Sequence, residues 1–410
     1  MQADLICVGN ELLTGLIENS NTGFLARRLW SAGISVREAC VVADNEQAIR
    51  VALEKALEES DLVILTGGLG PTDDDLTREA VAGALGLPLV LNQGWLKKME
   101  QYFRNRGIKM PDNNRKQALV IKGSTLLENQ RGTAPGALME SQGKTIVMLP
   151  GPPHELQMIF KQQVLPYLAA NNQTGLTAVK TLKCIGIGES MLEEKIKALG
   201  KWELPPISYV SRGFEVDLQI KGSGEGEAAS VSIAKAEQLL RSVLGDYIYG
   251  SNDDTLVSLA AELLTAKKMT LALAESCSGG LLSDLITDFP GSSKFYRGGL
   301  IAYNSVVKSD LLGVSKELLE KEGVVSAATA LAMAAGIKKL LKADIAAGIT
   351  GVAGPESDSA GKPVGLVCIA VLGPGISENR QLNLGGGRRA IKERSAQIAL
   401  DMLRKILVKL

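Results

Sequence analysis

Histidine is nearly absent from this chain: there is one, His154. A Ser-His-Asp or Cys-His catalytic set would have to recruit that single residue, and histidine-rich metal sites are excluded. Aromatic residues make up only 4% of the sequence, poor material for the stacking platforms that grip single-stranded nucleic acid. Net charge is missing too. Lys+Arg and Asp+Glu both number 45, so no global field draws the chain to nucleic acid or to an anionic membrane. The five cysteines, Cys7, Cys40, Cys184, Cys277 and Cys368, show no C-x-x-C spacing. That argues against a zinc site or disulfide framework and for a reducing compartment. No apolar run reaches membrane-spanning length. The opening MQADLICVGNELL has no basic region before its first strand, so no signal peptide is expected. The expected location is the cytoplasm.

At 410 residues there is room for two or three domains, expected at 1–170, 171–250 and 251–410. A makeup of 45% hydrophobic and 22% charged residues is that of an ordinary globular protein. Residues 4–8, 34–42 and 61–66 predict strands. Helices are expected between them, one over 21–32 with Phe24, Leu25 and Leu29 on one face, the next opened by an Asp44–Gln47 capping box. This β-α-β-α-β rhythm means an open parallel sheet with helices on both sides. The third strand runs into Gly67-Gly68-Leu69-Gly70-Pro71-Thr72-Asp73-Asp74-Asp75. Gly67, Gly68 and Gly70 let the backbone approach a ligand closely, and the helix start that follows suits a phosphate. Asp73, Asp74 and Asp75 repel phosphate unless a divalent cation intervenes. The loop therefore points to a Mg²⁺-like ion bridging a phosphate ester or pyrophosphate. Capping the next helix is an equally good role for Asp75. Loops around Asn114, at 132–136 and at 149–155 are placed to wall the same site, or are ordinary turns. His154 reads as a residue of a helix's first turn.

Beyond about residue 166 the pattern changes. A polar linker at 171–174, a strand over 178–185, a helix from Glu189, a hairpin around 207–220 and a helix over 227–244 predict a small α+β unit. After a helix over 255–267, the run 269–274 predicts a strand that stops abruptly in Glu275-Ser276-Cys277-Ser278-Gly279-Gly280 before a helix over 281–289. A nucleophile at such a turn has an oxyanion site beside it. The plainer reading makes Ser276 or Ser278 the N-cap of that helix. A further strand is expected to end in Tyr303, and Ser305 to cap a helix holding Lys308. Strands at 343–349, 365–372 and 380–384 follow, the first ending in Thr350-Gly351. A final helix opens at Gly385-Gly386-Gly387-Arg388, with Ile391, Ile398, Met402, Leu403, Ile406 and Leu410 facing the core. Taken singly, Tyr303, Lys308 and Arg388 are a strand residue and two surface charges. As a set at strand ends they describe a serine-lysine hydrolase acting on a small phosphorylated substrate. Its lysine must be pushed down from an ordinary value near about 10.4, by burial or by the charge of Arg388 and the helix start. Cys277 is the rival nucleophile, disfavoured by the adjacent Glu275.

The segments GNELLTG, TGGLGPTDDDLTREA, NNRKQA, GTAPG and LPGPPHE resemble the N-terminal domain of the competence/damage-inducible CinA family. That domain is of the molybdopterin-binding, MogA/MoeA-like kind. AESCSGG, RGGLIAYNSVVKSDLLGV, GITGVAGP and GGGRRAIKERSA resemble the family's C-terminal nicotinamide-nucleotide amidase (PncC) domain. The resemblance runs through essentially the whole chain in family order, and implies a KH-like middle domain. Gly186-Ile187-Gly188 lies between a strand and a helix, where it cannot serve as the nucleic-acid-gripping GXXG loop, so this domain reads as a spacer or dimer element. For the C-terminal domain the resemblance implies hydrolysis of the carboxamide of nicotinamide mononucleotide, giving nicotinate mononucleotide and ammonia without a metal. Ser276 would be the nucleophile and Lys308 the base. Tyr303 and Thr350 would orient or polarise, Arg388 would hold phosphate, and Glu275, Gly279, Gly280 and Gly351 would line the substrate. For the N-terminal domain it implies an ADP-ribose pyrophosphatase using Mg²⁺ or Co²⁺ on Asp73, Asp74 and Asp75. Gly67, Gly68, Gly70, Thr72 and Asn114 would surround that substrate. Together these are pyridine-nucleotide salvage. The rivals are a protein whose main catalyst is the N-terminal domain, and a non-enzymatic nucleotide-binding protein linked to DNA uptake. No nucleic-acid or membrane partner is expected, and a homodimer is the commonest closed assembly. Two positions depart from the family pattern: Asn10 stands where many relatives carry an acidic or hydroxyl residue, and Gly387 where they often carry Asp.

Overall fold

The computed structural model describes residues 1–171, 179–199, 204–223 and 226–410. Contacts divide the chain into two compact units, Met1–Val179 with Lys221–Ile233, and Lys180–Ile220 with Ala234–Leu410. Most of the linker expected at 171–174 lies outside the described residues; Asn171 ends the helix Leu165–Asn171. No described helix is long and apolar enough to cross a membrane.

The first unit is built on a six-stranded sheet in the order Ser35–Val42, Gln2–Val8, Leu62–Thr66, Lys144–Leu149, Gly136–Ser141, Thr125–Leu127. The first four strands are parallel, as expected; the last two turn antiparallel. Leu62–Thr66 is buried at every residue, which is why its sequence is apolar throughout rather than alternating. Leu5, Ile64 and Val147 face one layer with Phe24, Leu25 and Leu29. Ile6, Val63 and Leu65 face the other with Ile49, Leu53 and Val81. The helix Glu46–Glu59 is not opened by the expected capping box. Asn45, in extended conformation, caps it through Oδ1 on the Ala48 N–H at 3.0 Å. Asp44 instead accepts from the Asn10 N–H at 2.7 Å. Because the central strands are parallel, Val8, Thr66 and Leu149 all deliver their loops to one edge of the sheet, where ligands bind in such folds.

In the second unit a small sheet runs Ile207–Arg212, Glu215–Lys221, Val179–Ile185, Ile248–Ser251. A larger one runs Tyr296–Ile301, Leu271–Glu275, Ile345–Gly351, Leu366–Gly373, Ile376–Asn383. Its first three strands are parallel and the last two form an antiparallel hairpin. The closing helix Arg388–Lys409 buries Ile391, Ile398, Met402, Leu403 and Ile406. Leu410 lies past its last turn and is 38% exposed, so the expected stripe is one residue too long. The strand leading to Tyr303 stops at Ile301. Asn304 rather than Ser305 caps the helix Ser305–Asp310, accepting from the Val306 N–H at 2.9 Å.

Candidate active site

The strand Leu271–Glu275 ends against its two parallel neighbours, so Ser276 emerges at the carboxyl edge of the sheet. Its N–H donates to Ile349 O at 2.9 Å and its carbonyl accepts from the Gly279 N–H at 3.0 Å. Neither serine of the turn caps the following helix. Gly280, in left-handed conformation, opens Leu281–Thr287, and the capping group is Glu275. Its carboxylate, 1% exposed, accepts from the N–H groups of Gly280 (3.1 Å), Leu282 (3.0 Å) and Ser283 (2.8 Å). It also accepts from Ser283 Oγ at 2.6 Å. Glu275 is therefore a buried clamp, not the substrate-lining residue expected from the sequence. Gly279 and Gly280 likewise shape the turn and lie outside the cavity lining.

A cavity of about 470 Å³ lies over the turn, and Ser276, Lys308, Tyr303, Thr350, Gly351 and Arg388 all line it. Lys308 is 2% exposed. Its Nζ lies 3.0 Å from Ser276 Oγ, 2.6 Å from Ala302 O and 3.3 Å from Tyr303 O. Burial pulls the lysine down to about 8; neither Arg388 nor the helix start is a cause, contrary to expectation. The amine donates to Ser276 Oγ and to both carbonyls; on losing a proton it would keep two N–H groups for the carbonyls and have a lone pair to offer the serine hydroxyl. Cys277 goes the other way, its thiol pushed up to about 12, chiefly by burial. A thiol held protonated near neutrality is a poor nucleophile, which weighs against Cys277 as the rival. Thr350 Oγ1 donates to Val324 O at 2.7 Å, so its proton holds a neighbouring loop rather than polarising a substrate. The Tyr303 hydroxyl accepts from Arg388 Nη2 at 3.0 Å, while Arg388 Nη1 donates to Gly354 O at 2.5 Å. Arg388 is thus held by two neutral oxygens, with no side chain at Gly387 to assist. Asn304, Ser305, Glu356 and Asp358 also line the cavity. The sequence carried no spacing signal for the last two, which sit in the loop between two strands.

A second cavity, of about 310 Å³, lies in the first unit at the edge where its parallel strands end. Gly67, Gly68, Gly70, Thr72, Asp74 and Asp75 line it. Asp75 accepts from the Thr72 N–H at 2.9 Å and from its hydroxyl at 2.5 Å; it does not cap the helix Thr77–Leu85. The Thr72 hydroxyl also holds Asp74 below the usual carboxylate range. Asp73 does not line the cavity. Neither does Asn114, which is buried behind it and donates to Gln117 Oε1 at 2.8 Å; Gln117 is the lining residue. Glu11, Asp44 and Glu155 complete an acidic wall the sequence reading missed. Their signal was available: each follows closely on the end of a strand in the same parallel set. Among the described residues no three His, Cys, Asp or Glu side chains converge to hold a metal ion by themselves.

Three family models match in chain order. The probable molybdopterin binding domain covers residues 4–170, the damage-inducible protein CinA KH domain 179–250, and the CinA C-terminal domain 253–407. A putative competence-damage inducible protein of Caldicellulosiruptor saccharolyticus is 43% identical over 410 residues, covering 100% of both chains. The chain belongs to the CinA family. A CinA-like protein of Dictyoglomus thermophilum is 40% identical over 412 residues, again with 100% of both chains covered. The crystal structure of the protein CinA with unknown function from Thermoplasma acidophilum is 37% identical. It covers 39% of this chain and 94% of its own, with a TM-score of 0.37. The family models give the chain a probable molybdopterin binding domain, a KH domain and a CinA C-terminal domain, the last holding the Ser276–Lys308 pair.

Proposed function

We propose that the C-terminal domain hydrolyses the carboxamide of nicotinamide mononucleotide through a Ser276–Lys308 pair. The observation that carries this reading is the 3.0 Å contact between Lys308 Nζ and Ser276 Oγ. The amine is buried and pulled down to about 8, and no carboxylate forms an ion pair with it among the described residues. Neutral Lys308 takes the Ser276 proton as Oγ attacks the amide carbon. The Gly279 N–H is spent on Ser276 O and the Gly280 N–H on Glu275. The N–H groups of Cys277 and Ser278, which face the Cys277 sulfur, are the turn donors that would serve the oxyanion. As the C–N bond breaks, the Lys308 ammonium returns its proton to the leaving nitrogen and ammonia departs, with the acyl group on Ser276. Water, deprotonated by Lys308, cleaves that ester and frees nicotinate mononucleotide. Arg388, at the cavity wall, exchanges the Tyr303 hydroxyl for the substrate phosphate. Ammonia release from nicotinamide mononucleotide by the purified chain, in EDTA, tests this directly; an inactive, folded chain refutes it.

A second activity is favoured by the N-terminal cavity, whose glycine loop and acidic wall suit a diphosphate held through a cation: hydrolysis of ADP-ribose with Mg²⁺ or Co²⁺. Asp74 and Asp75 would hold such an ion through hard oxygen donors, with the substrate phosphates as further ligands. The cation would neutralise charge on the diphosphate. Release of AMP from ADP-ribose that EDTA abolishes is the expected result; release in EDTA overturns the metal assignment. The two activities make a pyridine-nucleotide salvage protein, proposed to act as a homodimer on small nucleotides with no nucleic-acid partner.

A further inference from the structure

Residues Gly67 to Gly70 present four consecutive carbonyls, and two residues account for all of them. Thr77 Oγ1 donates to Gly67 O at 2.8 Å and the Thr77 N–H to Gly68 O at 3.1 Å. Arg78 Nη1 donates to Leu69 O at 2.9 Å and Nη2 to Gly70 O at 3.2 Å. The Gly67 N–H is spent on Leu149 O at 3.0 Å. Among the described residues, the N–H groups of Gly68, Leu69 and Gly70 take no acceptor. All four loop residues line the 310 Å³ cavity. Successive N–H groups left open while their carbonyls are turned away form an anion-binding nest.

Arg78 itself is out of place by ordinary rules. It is 4% exposed, its Nε has no partner, and among the described residues no carboxylate lies within ion-pair distance, although Glu79 and Asp75 are near enough to favour its charge. A guanidinium does not shed its proton to escape burial. A buried cation hydrogen-bonded only to neutral carbonyls is costly, and Glu79 and Asp75 offset its burial only in part, which leaves room for a further negative charge.

We propose that Arg78 is a positioning residue that turns the carbonyls of Leu69 and Gly70 inward, so that the loop N–H groups and the charge behind them receive a phosphoryl group of a diphosphate ligand. The inference rests on the second activity above only for the identity of that diphosphate. Inorganic pyrophosphate, with and without Mg²⁺, is the probe, titrated calorimetrically into the full chain and its variants. The wild-type chain binds it, Arg78→Met weakens binding at least tenfold, and Arg78→Lys, which keeps the charge but loses the fork, falls between. Near-UV circular dichroism and cooperative thermal unfolding report whether a variant is folded. If Arg78→Met is misfolded, the comparison of wild type with Arg78→Lys decides. Equal affinity in folded variants overturns the inference, and so does a wild-type chain that does not bind pyrophosphate. Binding without ADP-ribose hydrolysis leaves the cradle standing and removes only the proposed reaction.

Discussion

Two turns of this molecule look alike in sequence and do opposite things with their backbone. Each follows a fully buried parallel strand, contains glycines in left-handed conformation, and leads into a helix. At Gly67–Gly70 the carbonyls are taken by Thr77 and Arg78, and three N–H groups are left open. At Glu275–Ser283 the reverse holds: an internal carboxylate fills the helix start and consumes three N–H groups. The first turn leaves donors open to an anion from outside. The second has its anion built in, and Ser276 and Lys308 lie together beside it, as the proposed covalent chemistry requires. A strand–glycine–helix pattern therefore does not by itself announce a phosphate site; what matters is which charged side chain the turn folds around.

The contrast breaks most visibly at Lys308. Lys308→Met removes the base without touching the Gly67–Gly70 turn. Ammonia release should drop by about a thousandfold or more, while pyrophosphate binding is unchanged. An assay of both on one preparation checks this, and a loss of both would mean the two sites are not independent.

The pH dependence is the next largest effect. Lys308 is charged below about 8 in the folded chain and neutral above. kcat/KM should climb roughly tenfold per pH unit up to that point and then level. The same shift bears on stability. Between about 8 and 10.5 the unfolded chain still holds a proton that the folded chain has released, so stability rises with pH across that window. A profile with its limb near 10.5, or stability that falls there on account of Lys308, would contradict the burial of the amine.

Glu275→Gln sharpens the contrast from the other side. The amide offers one acceptor oxygen where the carboxylate offered two, and its NH₂ faces backbone donors. Stranding those donors costs about 1–3 kcal/mol, read as a Tm lowered by several degrees. kcat for ammonia release should fall while KM holds, because Ser276 shifts relative to Lys308. A smaller effect is expected of Tyr303→Phe, which removes the acceptor that Arg388 uses across the cavity mouth. KM should change severalfold with little change in kcat, as steady-state kinetics will show; a collapse in kcat would make Tyr303 a participant in the chemistry.

The parallel strands and the location of both sites at strand ends were readable because buried parallel strands are apolar throughout and the glycine-rich turns interrupt them sharply. Ser276 with Lys308, and Tyr303 with Arg388, were legible as a set. What the sequence hid was which polar group satisfies which. Glu275 reads as a site carboxylate but points back into its own helix, because three N–H donors at a helix start outbid a distant ligand. Thr350 reads as a catalytic hydroxyl but anchors Val324 O. Asp73 and Asn114 stand next to lining residues without lining anything themselves. Arg78 escaped notice since a lone arginine in a helical pattern is ordinarily a surface charge, and only the packed loop reveals that it lies underneath. Asn45 and Asn304 displaced the expected caps by one residue, a difference that rests on backbone conformation rather than residue type.

The central claim is that the second turn carries a serine nucleophile served by a buried lysine. Ammonia release from nicotinamide mononucleotide, measured in EDTA for the wild-type chain and for Ser276→Ala, tests it most directly. Release by the wild type that is resistant to EDTA and lost in the variant is the predicted result. Release that persists in Ser276→Ala, above all if alkylation of Cys277 then abolishes it, would contradict the account.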